Sequence, residues 1–200
     1  MNYAELKTSV ADFLNRQDLT STIPTFIQLA EADFNRTIRH RSMLTRATAV
    51  LDAQFTGLPS DFLEAKNVQL NSTPVVSLEY VSIEEADRLR AAYPTGQPQW
   101  YTIVGDQIEV APVPDVEYTI ELVYYKKIPT LSDSNTSNWL ISNHLDAYLY
   151  GSLMHSAPYL KNDERIQVWG TLYKAAIADM NLASEKAEYS GSGLKMRASW

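Results

Sequence analysis

The sequence predicts an α+β protein: a helical bundle built from the N- and C-terminal helices, with an inserted, mostly antiparallel β domain and a flexible C-terminal tail. Three observations carry that prediction. Apolar residues recur at steps of three and four near both ends of the 200-residue chain. They alternate at every second position through much of the middle. Two of the alternating runs are joined by Gly105-Asp106, a two-residue link that suits a tight hairpin turn.

The elements follow in order. Tyr3, Leu6, Val10, Phe13 and Leu14 make one apolar stripe, which predicts a helix ending near Asn15 to Asp18. A second helix is expected with Thr22 as cap and Pro24 in its first turn, where a missing N–H does no harm. Its apolar face is Ile27, Ala30, Phe34 and Ile38. From Leu44 to Leu51 the chain turns rich in Thr, Val and Ala, and Phe55-Thr56-Gly57-Leu58-Pro59 reads as a turn. Val68 to Leu70 and Val75 to Val81 suit strands. Ser82 with Glu85 three positions on is a capping-box pattern opening a short helix to Ala92, ended by Pro94, Gly96 and Pro98. The hairpin pairs Trp100 to Val104 with Gln107 to Val110, and Tyr118 to Lys127 is a further strand.

Helix returns after Ser132. Asn143 with Asp146 predicts a cap for a helix running through Tyr148, Leu149 and Gly151 to Ala157, apolar on nearly every side and so central in the fold. Pro158 stops or kinks it. Asn162-Asp163 should start a long last helix striped by Ile166, Trp169, Leu172, Tyr173, Ala176, Met180 and Ala183. After Tyr189, Ser-Gly-Ser-Gly has linker composition. The expected organisation is residues 1–43 helical, 44–130 β-rich, 131–188 helical, and 189–200 tail.

Composition bounds the function. Hydrophobic residues at 45% and charged residues at 20% describe a globular chain able to bury a core. A net charge of -7 argues against general nucleic-acid binding, which needs a basic surface. The absence of cysteine removes disulfides, thiolate nucleophiles and cysteine metal sites. No signal-peptide pattern and no apolar run near the roughly 20 residues of a membrane span are visible, so the expectation is a soluble protein made in the cytoplasm.

The search for chemistry returns little. His144 and His155 are eleven residues apart, a rise of about 16 Å along a helix, too far to share one metal ion, and both are expected to face solvent or a partner. Asp146 beside His144 serves a helix start, with no Gly-x-Ser-x-Gly elbow to make a triad. Asp106, Glu109, Asp115, Glu117 and Glu121 form an acidic stretch expected to be largely solvated. Phosphate-loop, dinucleotide and calcium-loop patterns are missing, so neither enzyme nor cofactor is expected.

Two features resist that bland picture. Arg36, Arg39, Arg41 and Arg46, with His40, occupy a run without an acid, which suggests contact with an acidic partner or subunit surface, or alternatively with DNA. The tail ends in Leu194, Lys195, Met196, Arg197 and Trp200, apolar groups that contribute nothing until docked.

One resemblance gathers these features. Leu131-Ser132-Asp133-Ser134-Asn135-Thr136-Ser137-Asn138-Trp139-Leu140, then Leu149-Tyr150-Gly151 and Ala157 through Arg165, resemble head-tail adaptors of tailed bacteriophages, of the tail tubular protein A type. Leu58-Pro59-Ser60-Asp61-Phe62 is similar to that family's Leu-Pro-x-Asp-Phe turn. The likeness is densest from 131 to 187. It implies a helical domain carrying a β insertion, and a non-catalytic virion protein at the head-tail junction. It also implies twelve-subunit rings beneath the portal protein, with the tail tube or nozzle protein beyond and DNA passing through the channel. The C-terminal residues from Leu194 to Trp200 would reach the portal. The acidic balance suits a wall that DNA slides past.

Overall fold

In the computed structural model, which describes residues 1–160 and 164–190, the first helix is fixed by its own ends. Helix α1 (Tyr3–Leu14) starts at Asn2, whose side chain accepts the Glu5 N–H while the Glu5 carboxylate accepts the Asn2 N–H. It stops at Asn15, which takes the left-handed conformation at φ 53°. Tyr3, Leu6, Val10 and Leu14 are buried. Phe13, expected on that stripe, is 47% exposed, because it lies about 100° around the helix from Leu14.

The chain divides into two compact units, one of Met1–Ser42 together with the chain from Ile128 onward, the other Met43–Lys127. The helical unit adds α2 (Ile23–Thr37), α4 (Trp139–Asn143), α5 (Leu145–His155) and α6 (Arg165–Tyr189) to α1. Thr22 stands at the start of α2 with Pro24 in the first turn, but its side chain makes no capping bond. Ile27, Ala30, Phe34 and Ile38 are all buried. Helix α5 packs against α1, α2, α4 and α6, the central position its all-round apolarity predicts. Gly151 on α5 permits the approach: a Cβ there would stand 3.3 Å from Ala30, Phe34 and Tyr173 side chains.

Two expectations in this unit need correction. Asn143 does not cap the central helix. Asn138 caps α4, accepting the Ile141 N–H at 3.0 Å, and the chain breaks at His144 before α5 begins without a side-chain cap. Along α6 the buried positions are Trp169, Tyr173, Ile177, Met180 and Ser184, while Leu172 is 40% exposed and Ala183 is exposed. The buried stripe is narrower than the apolar composition suggests, because α6 packs on α5 with a single face, from which Tyr173 and Asn181 also reach α2. The predicted start of that helix at Asn162-Asp163 lies outside the described residues, as do residues 191–200 of the tail.

The second unit is a β sandwich with one helix. Its strands are β1 (Leu44–Leu51), β2 (Phe55–Gly57), β3 (Phe62–Leu70), β4 (Val76–Ser77), β5 (Glu79–Tyr80), β6 (Trp100–Val104), β7 (Gln107–Ala111) and β8 (Tyr118–Lys126). One sheet has the order β1-β8-β3-β4 and the other β2-β7-β6-β5. All pairings are antiparallel except β5 with β6. Leu51, Val68, Leu70, Leu78, Ile108, Val110, Ile120 and Leu122 fill the space between the sheets. Gly105 turns the β6–β7 hairpin at φ +62°, with Val104 opposite Gln107.

Here too the structure departs from expectation. Phe55 to Gly57 is not a turn but a strand paired with β7, Phe55 opposite Glu109. The single strand expected from Val75 to Val81 is split at buried Leu78, and its halves join different sheets. Helix α3 (Ile83–Ala92) takes its cap from Ser82, which accepts the Glu85 N–H at 3.3 Å, while the Glu85 carboxylate turns to Arg88 instead of completing the box.

Candidate functional site

The segment resembling known adaptors, 131–140, is held by a buried polar network in the helical unit. Glu31 on α2 is 2% exposed and in phase with Ile27, Phe34 and Ile38. Its Oε1 accepts the Leu131 N–H at 2.7 Å and the Tyr148 hydroxyl at 3.0 Å. Tyr148 Oη in turn accepts from Asn138 Nδ2 at 2.7 Å, and the same amide nitrogen donates to the Pro129 carbonyl at 2.7 Å. One turn along α2, Asn35 Oδ1 accepts the Ile128 N–H at 2.9 Å. The chain entering the helical unit at Ile128 is therefore pinned at residues 128, 129, 131 and 138 before α4 begins.

Burial pushes the Glu31 carboxyl above the ordinary range, opposed by the two donors it accepts from. Burial and then the neighbouring Glu31 hold the Tyr148 hydroxyl well above the usual phenol. Glu31 Oε2 is buried with no hydrogen-bond partner among the described residues. The network positions a backbone and offers no activated nucleophile.

Beside it lies a cluster of rings. His40 stacks on Trp139 with centroids 5.0 Å apart and 14° between planes, and His144 meets both edge-on at 5.7 and 6.2 Å. His40 Nδ1 accepts the Ser42 N–H at 3.1 Å, so the neutral ring carries its proton on Nε2. Burial lowers the His40 pKa, with His144 and Arg41 adding to the effect. Helix α6 secures the same stretch: Asn181 Oδ1 accepts the Arg39 N–H, and Ser184 Oγ accepts the Arg41 N–H at 2.8 Å.

His155, expected at the surface, is half-buried at the last residue of α5, and its Nε2 is buried. Burial holds its pKa below the usual value against the pull of Asp33. It is drawn in because α5 packs against α1, α2, α4 and α6.

The run Arg36 to Arg46 is divided between the units. Arg36 pairs with Asp33 at 3.1 Å within α2, and Arg46 on β1 pairs with Glu121 on β8 at 3.0 Å. Their side chains remain 67% and 68% exposed. The Arg39 guanidinium donates to the Ile38 and Asn35 carbonyls. Arg41 is exposed at the start of a short 3-10 turn, Arg41–Met43.

Two carboxylates of the expected solvated stretch are instead buried. Glu109 is 6% exposed, ion-paired with Arg90 of α3 and accepting from Gln54 at 2.9 Å. Glu121 is 9% exposed, paired with Arg46 and accepting from Asn71 at 3.0 Å. Each buried charge has both a cation and an amide, the condition for burying it at tolerable cost.

Residues 1–197, spanning both units, match the SU10 adaptor protein family. The chain belongs to that family. No curated protein gives a match. The SU10 adaptor family is one of structural phage adaptors, not of enzymes, which agrees at that level with the class the 131–187 region resembles.

In this SU10 adaptor no group of three or more His, Asp or Glu side chains that could hold a metal occurs among the described residues. No helix among them is long and apolar enough to cross a membrane. Leu194, Lys195, Met196, Arg197 and Trp200, the expected partner-binding tail, lie outside the described residues. Sequence reasoning passed over Glu31, although a carboxylate in step with an apolar helical stripe was the available signal.

Proposed function

We propose that this SU10 adaptor works as one subunit of a ring, twelve-membered as in the tail tubular protein A type it resembles. The ring lies beneath the portal of the virion and links it to the tail tube or nozzle, and DNA passes through its channel. The observation that carries this reading is the family match over residues 1–197, which takes in both units and most of the tail. In this reading Leu194, Lys195, Met196, Arg197 and Trp200 dock on the portal, where their apolar groups leave water. The exposed parts of Arg36, Arg39, Arg41 and Arg46 meet a neighbouring subunit or partner. The pinned segment 128–138 supports a subunit that acts by shape, with no bond made or broken.

The test is to mix the chain with its portal and image the product. A stoichiometric ring supports the proposal, and deletion of residues 189–200 should abolish capture while leaving the far-UV spectrum and melting unchanged. Capture undiminished by that deletion would remove the tail from the proposal. The DNA-contact reading is weaker, since Arg36 and Arg46 already face carboxylates. Affinity for DNA falling steeply with salt would reinstate it.

A further inference from the structure

The β sandwich has two open sides, and they differ in kind. On one side β1 ends its sheet and β2 ends the other. Strand β1 is eight residues long, pairs with β8 without a register shift, and contains no proline. Its one charge, Arg46, is engaged with Glu121 on the adjacent strand. Edge strands are ordinarily blunted by shortness, proline, bulges or free charges, because an unpaired row of N–H and C=O groups is a template for another strand. Strand β1 has none of those devices. This side also exposes apolar side chains, Val50 at 53% and Phe55 at 50%. Between β1 and β2 the sheets leave a cavity of about 240 Å³ lined by Ala47, Ala49, Leu58, Ile108, Ile120 and Leu122.

The opposite side is closed by β4 and β5, two residues each. It presents protruding apolar groups in place of a cleft: Val75 is 59% exposed and Tyr80 61%. One side therefore offers a long bare edge with an apolar hollow, and the other offers short strands with side chains able to fill one.

We infer that the β1/β2 side of one copy receives the β4/β5 side of the next, so that both sheets continue from subunit to subunit. The occupant is a second copy of this chain, because the same unit carries both complementary surfaces on opposite edges of its sheets. Two different surfaces make a head-to-tail contact, which gives a ring when the rotation per step closes; a self-matching surface would stop at a two-fold dimer. Backbone pairing along β1 supplies the attraction, and Tyr80, which pairs with core-facing Tyr101, supplies register against the hollow. This inference rests on the ring reading above.

The natural absence of cysteine makes the test clean. Val50→Cys and Val75→Cys are introduced singly and together, and each protein is assembled on the portal and treated with a flexible bismaleimide. The double variant should give a ladder of linked chains extending past the dimer, while each single variant stays monomeric. Thr48→Cys with Ser77→Cys repeats the measurement at a second exposed pair, and melting of each free protein verifies its fold. A dimer from Val50→Cys alone would mean β1 pairs with itself and overturns the inference. A ring seen in micrographs with no ladder from either pair also overturns it, leaving the adaptor reading intact. Failure of all variants and of the parent to form a ring sinks both.

Discussion

Replacing Tyr148 by Phe deletes one oxygen at the centre of the helical unit and leaves the ring, which is wholly buried, in place. Two hydrogen bonds disappear, the one donated to Glu31 at 3.0 Å and the one accepted from Asn138 at 2.7 Å. Neither former partner is orphaned. Glu31 Oε1 keeps the Leu131 N–H, and Asn138 Nδ2 keeps the Pro129 carbonyl. The cost therefore sits near the ordinary net value, about 1 kcal/mol per bond and so ~2 kcal/mol for the pair. On a protein of this size that lowers the melting temperature by roughly 4–8 °C. Circular dichroism melting reads the shift, and amide exchange localises it: Leu131 and Ile141 should lose protection first. Tyr124→Phe is the matched control, removing a single hydroxyl bonded to Asp61 at 2.8 Å in the β unit. It should cost ~1 kcal/mol and spare the Leu131 amide. A Tyr148→Phe protein that melts with the parent and keeps Leu131 protected would refute the claim that this network holds the 128–138 segment.

Two more outcomes follow from the same structure. Glu109→Ala leaves Arg90, whose side chain is 19% exposed, with Asp87 alone, and should cost ~3 kcal/mol in urea titration; the double change Arg90→Met, Glu109→Leu should recover most of that. His40 and His155 are both held below the usual imidazole value by burial, so the folded chain sheds protons the unfolded chain keeps. Their contribution is whole above about pH 6.5 and declines as pH falls from there through the lower folded values, so stability should drop as the pH is taken below about 6.5. His40→Gln should flatten that slope in part, and an unchanged slope would assign it elsewhere.

Periodicity alone fixed the class of this protein and the faces of several elements. Ile27, Ala30, Phe34 and Ile38 are buried where a 3.6-residue repeat puts them, and Gly105 turns the hairpin because only glycine adopts that positive φ freely. The class of phage adaptor, too, was approachable from sequence, through the resemblance carried by residues 131–140 and the short runs that follow. Other features depended on what packs against what. Phe55 to Gly57 becomes a strand only because β7 offers an edge, and Val75 to Val81 is cut in two because Leu78 must point into a core between sheets. Glu31, Glu109 and Glu121 are buried only because partners distant in sequence, at Leu131, Arg90 and Arg46, come to meet them. Repeat patterns report a residue's own tendency to leave water. Whether a carboxylate can follow depends on donors that only the folded chain brings within 3 Å, and tertiary structure decided that.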